Sequence, residues 1–275
     1  MNLRVAVLFL RELLLFTAVQ LVGIFVVLRG GALIQEQNPL DLTVGEIIFF
    51  LIFFAAFIYF ARKFSRKSAV FFRLILGIAV FAGSQTVFSL IFDEVVFSSF
   101  AAVLTAFAVL KIRIILLHNL GIILALAGIG AVLGMSLAPF PVILILLVLS
   151  FYDIIAVYKT GHMVKLAEDM VRSRTIFGLV IPQEQEGWKK RLEDVRPGGE
   201  FMILGSGDAV MPLLLISSVI MSHGLASGLV ILLFSISGLF LSYCLFISQK
   251  IRRPMAALPP IAVMSIIGYL ALVVL

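Results

Sequence analysis

The chain has 275 residues, of which 62% are hydrophobic and only 13% charged, and its mean hydropathy is +1.20. A soluble domain is about 45–50% apolar and about 25% charged, so this composition excludes a soluble enzyme, a disordered chain and a disulfide scaffold, and leaves a polytopic membrane protein. The net charge of +6 and pI of 9.7 then point to basic cytoplasmic loops, with no nucleic-acid partner implied. A single cysteine, Cys244, excludes an internal disulfide and any multi-thiolate metal site.

Nine apolar stretches, over residues 5–28, 43–61, 69–92, 95–110, 119–137, 139–158, 201–221, 225–247 and 255–275, predict nine membrane helices. The ten-residue alternation of an outer-membrane barrel is missing, and helices are the other way to satisfy a backbone in lipid. The first stretch carries Arg11 and Glu12 and is followed by no small-residue cleavage site, so it reads as a span rather than a signal peptide. The expected fold is all-α: one integral membrane domain with spans one to six over 1–158, a cytoplasmic loop over 159–200, and spans seven to nine over 201–275.

Charge sets the direction. The second loop carries Arg62, Lys63, Arg66 and Lys67, the fourth Lys111 and Arg113, and the eighth Lys250, Arg252 and Arg253. The long sixth loop holds Lys159, Lys165, Arg172, Arg174, Lys189, Lys190, Arg191 and Arg196. Odd-numbered loops hold only Arg29 beside Glu36, Asp41, Asp93 and Glu94. The positive-inside rule therefore predicts a cell-membrane protein with a cytoplasmic N-terminus and an extracellular C-terminus. Within the sixth loop, residues 175–182 (TIFGLVIP) are apolar enough to lie on the membrane surface or fill a groove, and Pro197-Gly198-Gly199 signals a turn.

A buried acid in a span costs about 2.5–3.5 kcal/mol on insertion scales, so such acids mark function. Glu12 and Glu46 fall within one or two turns of a span end and read as interfacial anchors. Asp153 and Asp208 are short side chains well inside consecutive spans, each about 9–10 Å below the cytoplasmic face at 1.5 Å per residue, and so form a potential pair. Gly205 and Gly207 flank Ser206 immediately before Asp208, where glycine allows an irregular main chain and close backbone approach. Gly130-xxx-Gly134 and Gly224-xxx-Gly228 read as ordinary helix-packing motifs. Tyr152 adjoins Asp153 and brings a hydroxyl near it. In the last span Pro259 and Pro260 lack N–H groups, so the helix must start or break there.

Tyr152-Asp153 in one span, Gly205-Ser206-Gly207-Asp208 (GxGD) in the next and Ala257-Leu258-Pro259 in the last resemble the presenilin and signal-peptide-peptidase aspartyl proteases. The motif order, nine spans and long loop between the acid-bearing helices extend the resemblance over essentially the whole chain. The predicted N-in, C-out orientation resembles the presenilin branch, and the short loop and lack of an acidic N-terminal tail resemble its microbial, archaeal members. The resemblance implies proteolysis within the membrane, with Asp153 and Asp208 as catalytic dyad and Ala257, Leu258 and Pro259 near the active site, helping substrate docking. It implies no cofactor and no metal. Two features depart from the familiar pattern: Ser206 stands where a larger apolar residue is usual, and the sixth loop is short for maturation cleavage.

Two close carboxylates share one proton and titrate as a unit. One ionised partner then activates a water while the neutral partner donates to the scissile carbonyl. The expected substrate is a single transmembrane segment with its N-terminus outside, locally unwound in the bilayer and pairing as a strand. The alternative is a cation-coupled secondary transporter or a cation leak channel built on the same acids. His118, His162 and His223 are scattered without HExxH spacing, which argues against zinc.

Overall fold

The computed structural model describes residues 3–34, 68–159, 174–195, 200–249 and 255–274, with single positions at 40, 43, 45, 46, 161, 170 and 171. Most of the second predicted span, the basic residues Arg62 to Lys67 of the second loop, and the Pro197–Gly199 turn lie outside the described residues, as do His162, Lys165, Arg172, Arg196, Lys250, Arg252 and Arg253.

Eight α-helices are present among the described residues. They are α1 (Leu3–Ile34), α2 (Ser68–Ser89), α3 (Val95–Lys111), α4 (Ile115–Ser136), α5 (Pro139–Ile154), α6 (Ser206–His223), α7 (Leu225–Ile247) and α8 (Leu258–Val274). Six described helical segments are long and apolar enough to cross a membrane: Ala6–Ala32, Phe72–Ser89, Ile115–Ser136, Pro139–Lys159, Ser206–His223 and Leu225–Ile247. The chain is therefore a largely helical membrane protein. Exposed Leu, Ile, Val and Phe side chains on most helices, Phe97, Phe100, Phe107 and Leu233 among them, are what a lipid-facing surface requires.

The helical frame carries one short ribbon. Residues predicted to lie on the membrane surface or fill a groove, and residues predicted as the start of span seven, form two antiparallel strands, β1 (Gly178–Pro182) and β2 (Phe201–Gly205), in register Gly178↔Gly205 through Pro182↔Phe201. Every residue of β1 is buried. It lies against α4 and α1, and its leucine and isoleucine side chains join the same core cluster as Phe16, Val19 and Leu213. A strand buried on both faces reads as a continuous apolar run without alternation, which is how GLVIP reads. Two further boundaries shift. Helix α5 continues as one π-helical turn over Ile155–Lys159, and α8 starts three residues after Met255, because Met255, Ala256 and Ala257 are not helical.

Helix α1 packs on α4 and α6, α4 on α2 and α6, and α7 on α6 and α8. Small residues set the closest of these approaches, because helices in lipid associate through packing rather than through a hydrophobic drive. A Cβ added at Gly128 of α4 would stand 2.2 Å from the Gly83 carbonyl oxygen of α2, and one at Gly83 would stand 2.5 Å from the Ala125 Cα. Gly130 and Gly134 do the same against α6, the latter 2.6 Å from the Leu214 oxygen. In Gly224-xxx-Gly228 only the second glycine is a packing residue, against Ile220, while Gly224 has φ +84° and makes the turn between α6 and α7. Replacing Gly128 by Val must push α2 off α4, since the obstacle is backbone. The expected loss is about 1–3 kcal/mol, read as a lower thermal midpoint in detergent.

The turn between α3 and α4 is stitched to the sixth loop: the Ile115 N–H donates to the Lys190 oxygen at 3.1 Å and the Leu192 N–H to the Arg113 oxygen at 2.9 Å. Glu193 there pairs with Arg113 at 3.5 Å and Arg174 at 2.9 Å. At another place, Leu40 of the first loop bridges Leu137 of the fifth, its N–H donating to the Ser136 oxygen at 2.9 Å. Among the described residues, the fourth loop thus meets the sixth and the first meets the fifth.

Candidate active site

Asp153 sits on the last turn of α5, just ahead of the π-helical turn. It is 9% exposed, the only buried acid of that helix. Its carboxylate faces the backbone N–H of Leu258, the first residue of α8. The first four N–H groups of a helix have no partner within it. Pro259 and Pro260 remove two of these, and the Leu258 N–H is turned to the acid. The positive end of α8 therefore faces Asp153. Gly238 of α7 permits this placement, because a Cβ there would lie 2.8 Å from the Pro260 oxygen and 2.7 Å from the Ile261 Cα.

Asp208 is reached differently from the sequence expectation. It lies in the first turn of α6, third after Gly205, which caps the helix and ends β2. Its carboxylate turns back toward the Gly205 backbone at the start of the helix. Gly205 has φ −61° and ψ 145°, an extended conformation open to any residue. Glycine is required there for space: a Cβ would come within 2.9 Å of the Asp208 Oδ2. At Gly207 an added Cβ would meet nothing within 4 Å, so that position borders open space.

The two acids are within electrostatic range of each other, so α5, α6 and the start of α8 converge on one site. Leu258 thus lies beside Asp153, with Ala257 and Pro259 on either side of it. Tyr152, next to Asp153 on α5, is 38% exposed.

Sequence reasoning missed one acid. Glu12, expected as an interfacial anchor, is 6% exposed on α1 and within electrostatic range of Asp208. Its Oε2 has no hydrogen-bond partner among the described residues. The signal was present, since Glu12 is an acid inside an apolar stretch, but its depth was measured along the chain without knowing which side of α1 faces α6. Two further polar residues of α1 tie it to the site. The Gln20 side chain donates to the Ala209 oxygen at 2.8 Å, and Arg11 donates to the Pro182 oxygen at 2.6 Å.

The family model for signal-peptide peptidase and presenilin aspartyl protease matches residues 6–275. The fold is similar to a presenilin family intramembrane aspartate protease solved in space group C222, with a TM-score of 0.64 and 23% identity over 95% of each chain. A second structure of that description, in space group P2, gives 0.63 and 23% over 94% of each chain. No curated protein matches the sequence. The architecture is that of a membrane-embedded aspartic endopeptidase. The chain belongs to the signal-peptide peptidase and presenilin aspartyl protease family.

Proposed function

We propose that Asp153 and Asp208 are the catalytic dyad of an enzyme that hydrolyses peptide bonds inside transmembrane segments. The observation that carries this reading is the convergence of two buried carboxylates from consecutive helices within electrostatic range of each other, one facing the Leu258 N–H and the other the Gly205 backbone. Such a pair can hold a water between the acids. The ionised partner takes a proton from that water as it attacks the scissile carbonyl, and the neutral partner donates to the carbonyl oxygen, giving a gem-diol. Collapse of the gem-diol breaks the C–N bond, with the proton passing to the leaving amine. Gly205 and Gly207 give the Asp208 carboxylate and the substrate room, Ala257, Leu258 and Pro259 form the wall the substrate docks on, and Tyr152 borders that wall from α5. Neither the mechanism nor the residue set calls for a cofactor or a metal.

The strand pair supports a mode of substrate presentation. On β1 the outward backbone groups of Gly178, Val180 and Pro182 are taken by side chains. On β2 the matching residues face away from β1, and the Ile203 N–H and C=O there lie two residues before Gly205. A helical substrate that unwinds next to the dyad regains backbone hydrogen bonds by pairing with that edge. The full reading is a nine-span protein of the cell membrane forming one integral domain, with the 159–200 segment and the N-terminus cytoplasmic and the C-terminus outside. Its substrates are single transmembrane segments with external N-termini. Family membership weighs against the transporter and channel alternative.

The test is incubation of the purified protein in detergent with a membrane-spanning peptide, followed by mass spectrometry. New termini within the apolar stretch are expected. Cation flux in liposomes with no peptide products would overturn the reading.

A further inference from the structure

A two-stranded ribbon has two edges, and here they are treated unequally. Val180 in the middle of β1 donates its N–H to the Asn119 Oδ1 at 2.8 Å and receives the Asn119 Nδ2–H on its carbonyl at 2.7 Å. The carboxamide is a copy of a peptide group, so Asn119 occupies the place of one residue of a third strand. His118, the preceding residue, places Nε2 3.1 Å from the Gly178 oxygen, and Arg11 donates to the Pro182 oxygen. Gly178, Val180 and Pro182 share one side of the strand, and Pro182 has no N–H. All three outward carbonyls of β1 and its central outward N–H are therefore satisfied by side chains of α4 and α1.

These side chains are buried: Asn119 is 1% exposed, and His118 and Val180 are fully buried. Asparagine in an otherwise apolar helix start costs desolvation unless its amide is paired, and here it is paired on both atoms. The ribbon transmits this anchorage. β1 is registered to β2 from Gly178↔Gly205 to Pro182↔Phe201, and β2 ends at Gly205, which caps α6 and lies against the Asp208 carboxylate.

We infer that Asn119 is a positioning residue for cleavage: by closing the β1 edge and fixing β1 to α4, it sets the register of β2 beside Asp208, leaves β2 as the edge for an incoming strand, and so selects which peptide bond is cut. The inference rests on the protease reading above. With Asn119 removed, Val180 exposes a free donor and acceptor, the second edge becomes available, and the ribbon slides against α4.

The experiment maps cut positions on one transmembrane peptide by mass spectrometry for the wild type, Asn119→Ala and Asn119→Gln. For Asn119→Ala, kcat falls about 10–100-fold, KM changes less, and products appear at neighbouring bonds that the wild type leaves intact. Asn119→Gln retains the amide but lengthens the tether by one methylene, so it restores part of the rate and still shifts the cuts. It carries the test alone where the alanine variant does not fold. A purely stabilising role lowers the thermal midpoint but leaves the cut positions unchanged, and unchanged positions in the folded variants overturn the inference. A wild type that cuts nothing overturns the protease reading instead.

Discussion

Asp208→Asn reduces cleavage by at least about 10³-fold, the scale of a lost general acid–base partner, while leaving the fold intact. Asparagine keeps the size of Asp208 and the acceptor oxygen that it turns toward Gly205. What asparagine cannot do is exchange a proton with Asp153 or with a water between them. Asp153→Asn behaves alike, since it keeps an acceptor toward the Leu258 N–H. Helical circular dichroism and gel filtration of both variants should match the wild type, and product formation from a membrane-spanning peptide should disappear. A variant that retains more than a few per cent of the rate removes that acid from the chemistry.

Gly205→Ala is the second large effect, and it separates geometry from chemistry. The backbone at Gly205 has φ −61° and ψ 145°, so alanine fits without strain and the helix cap is kept. The new methyl would stand 2.9 Å from the Asp208 Oδ2. The obstacle is the end of a side chain, which turns aside at little cost in stability. The cost falls on catalysis instead, because a shift of about 1 Å in a reacting group is worth about 10²-fold. We expect kcat to fall about 100-fold with the thermal midpoint nearly unchanged. Gly207→Ala gives the contrast: its Cβ would meet nothing in the protein, so an effect there appears in KM for bulky substrates. Equal behaviour of the two variants would contradict this division of roles.

The parts of the fold that lipid dictates were legible in the sequence. The stretch 225–247 is α7 to the residue, and 95–110 is α3 within one residue, because a spanning helix must be continuously apolar and its ends are marked by Gly224 or by Lys111. The ribbon was not legible. β1 is buried on every residue and shows no alternation, and β2 (FMILG) merges with the apolar run of α6. Periodicity cannot divide a buried strand from the helix that follows it. That error also misplaced Asp208 along its helix, in the second turn instead of the first. Asp153 and Asp208 were nonetheless found, since an acid costly to bury is conspicuous wherever it lies in an apolar run. Glu12 obeys the same rule but was discounted for its closeness to a span end. Whether a helix turns a residue toward its neighbours or toward lipid is a property of packing, here of α1 against α6 through Gly23 and Leu213. Gly205 was read as allowing an irregular main chain and close backbone approach, whereas its missing side chain makes room for the carboxylate of Asp208.

The central claim is that two acids act as one unit on one carbonyl. The most direct measurement is the affinity of a transmembrane peptide mimic, with a hydroxyl-bearing tetrahedral carbon at the scissile position, for the wild type, Asp153→Asn, Asp208→Asn and the double variant. Such mimics bind about 10²-fold or more above substrate when the site is complementary to the transition state. A shared-proton pair predicts strong non-additivity: either single substitution loses nearly all of that affinity, and the double variant loses little more. Losses that simply add would mean two independent carboxylates and contradict the account.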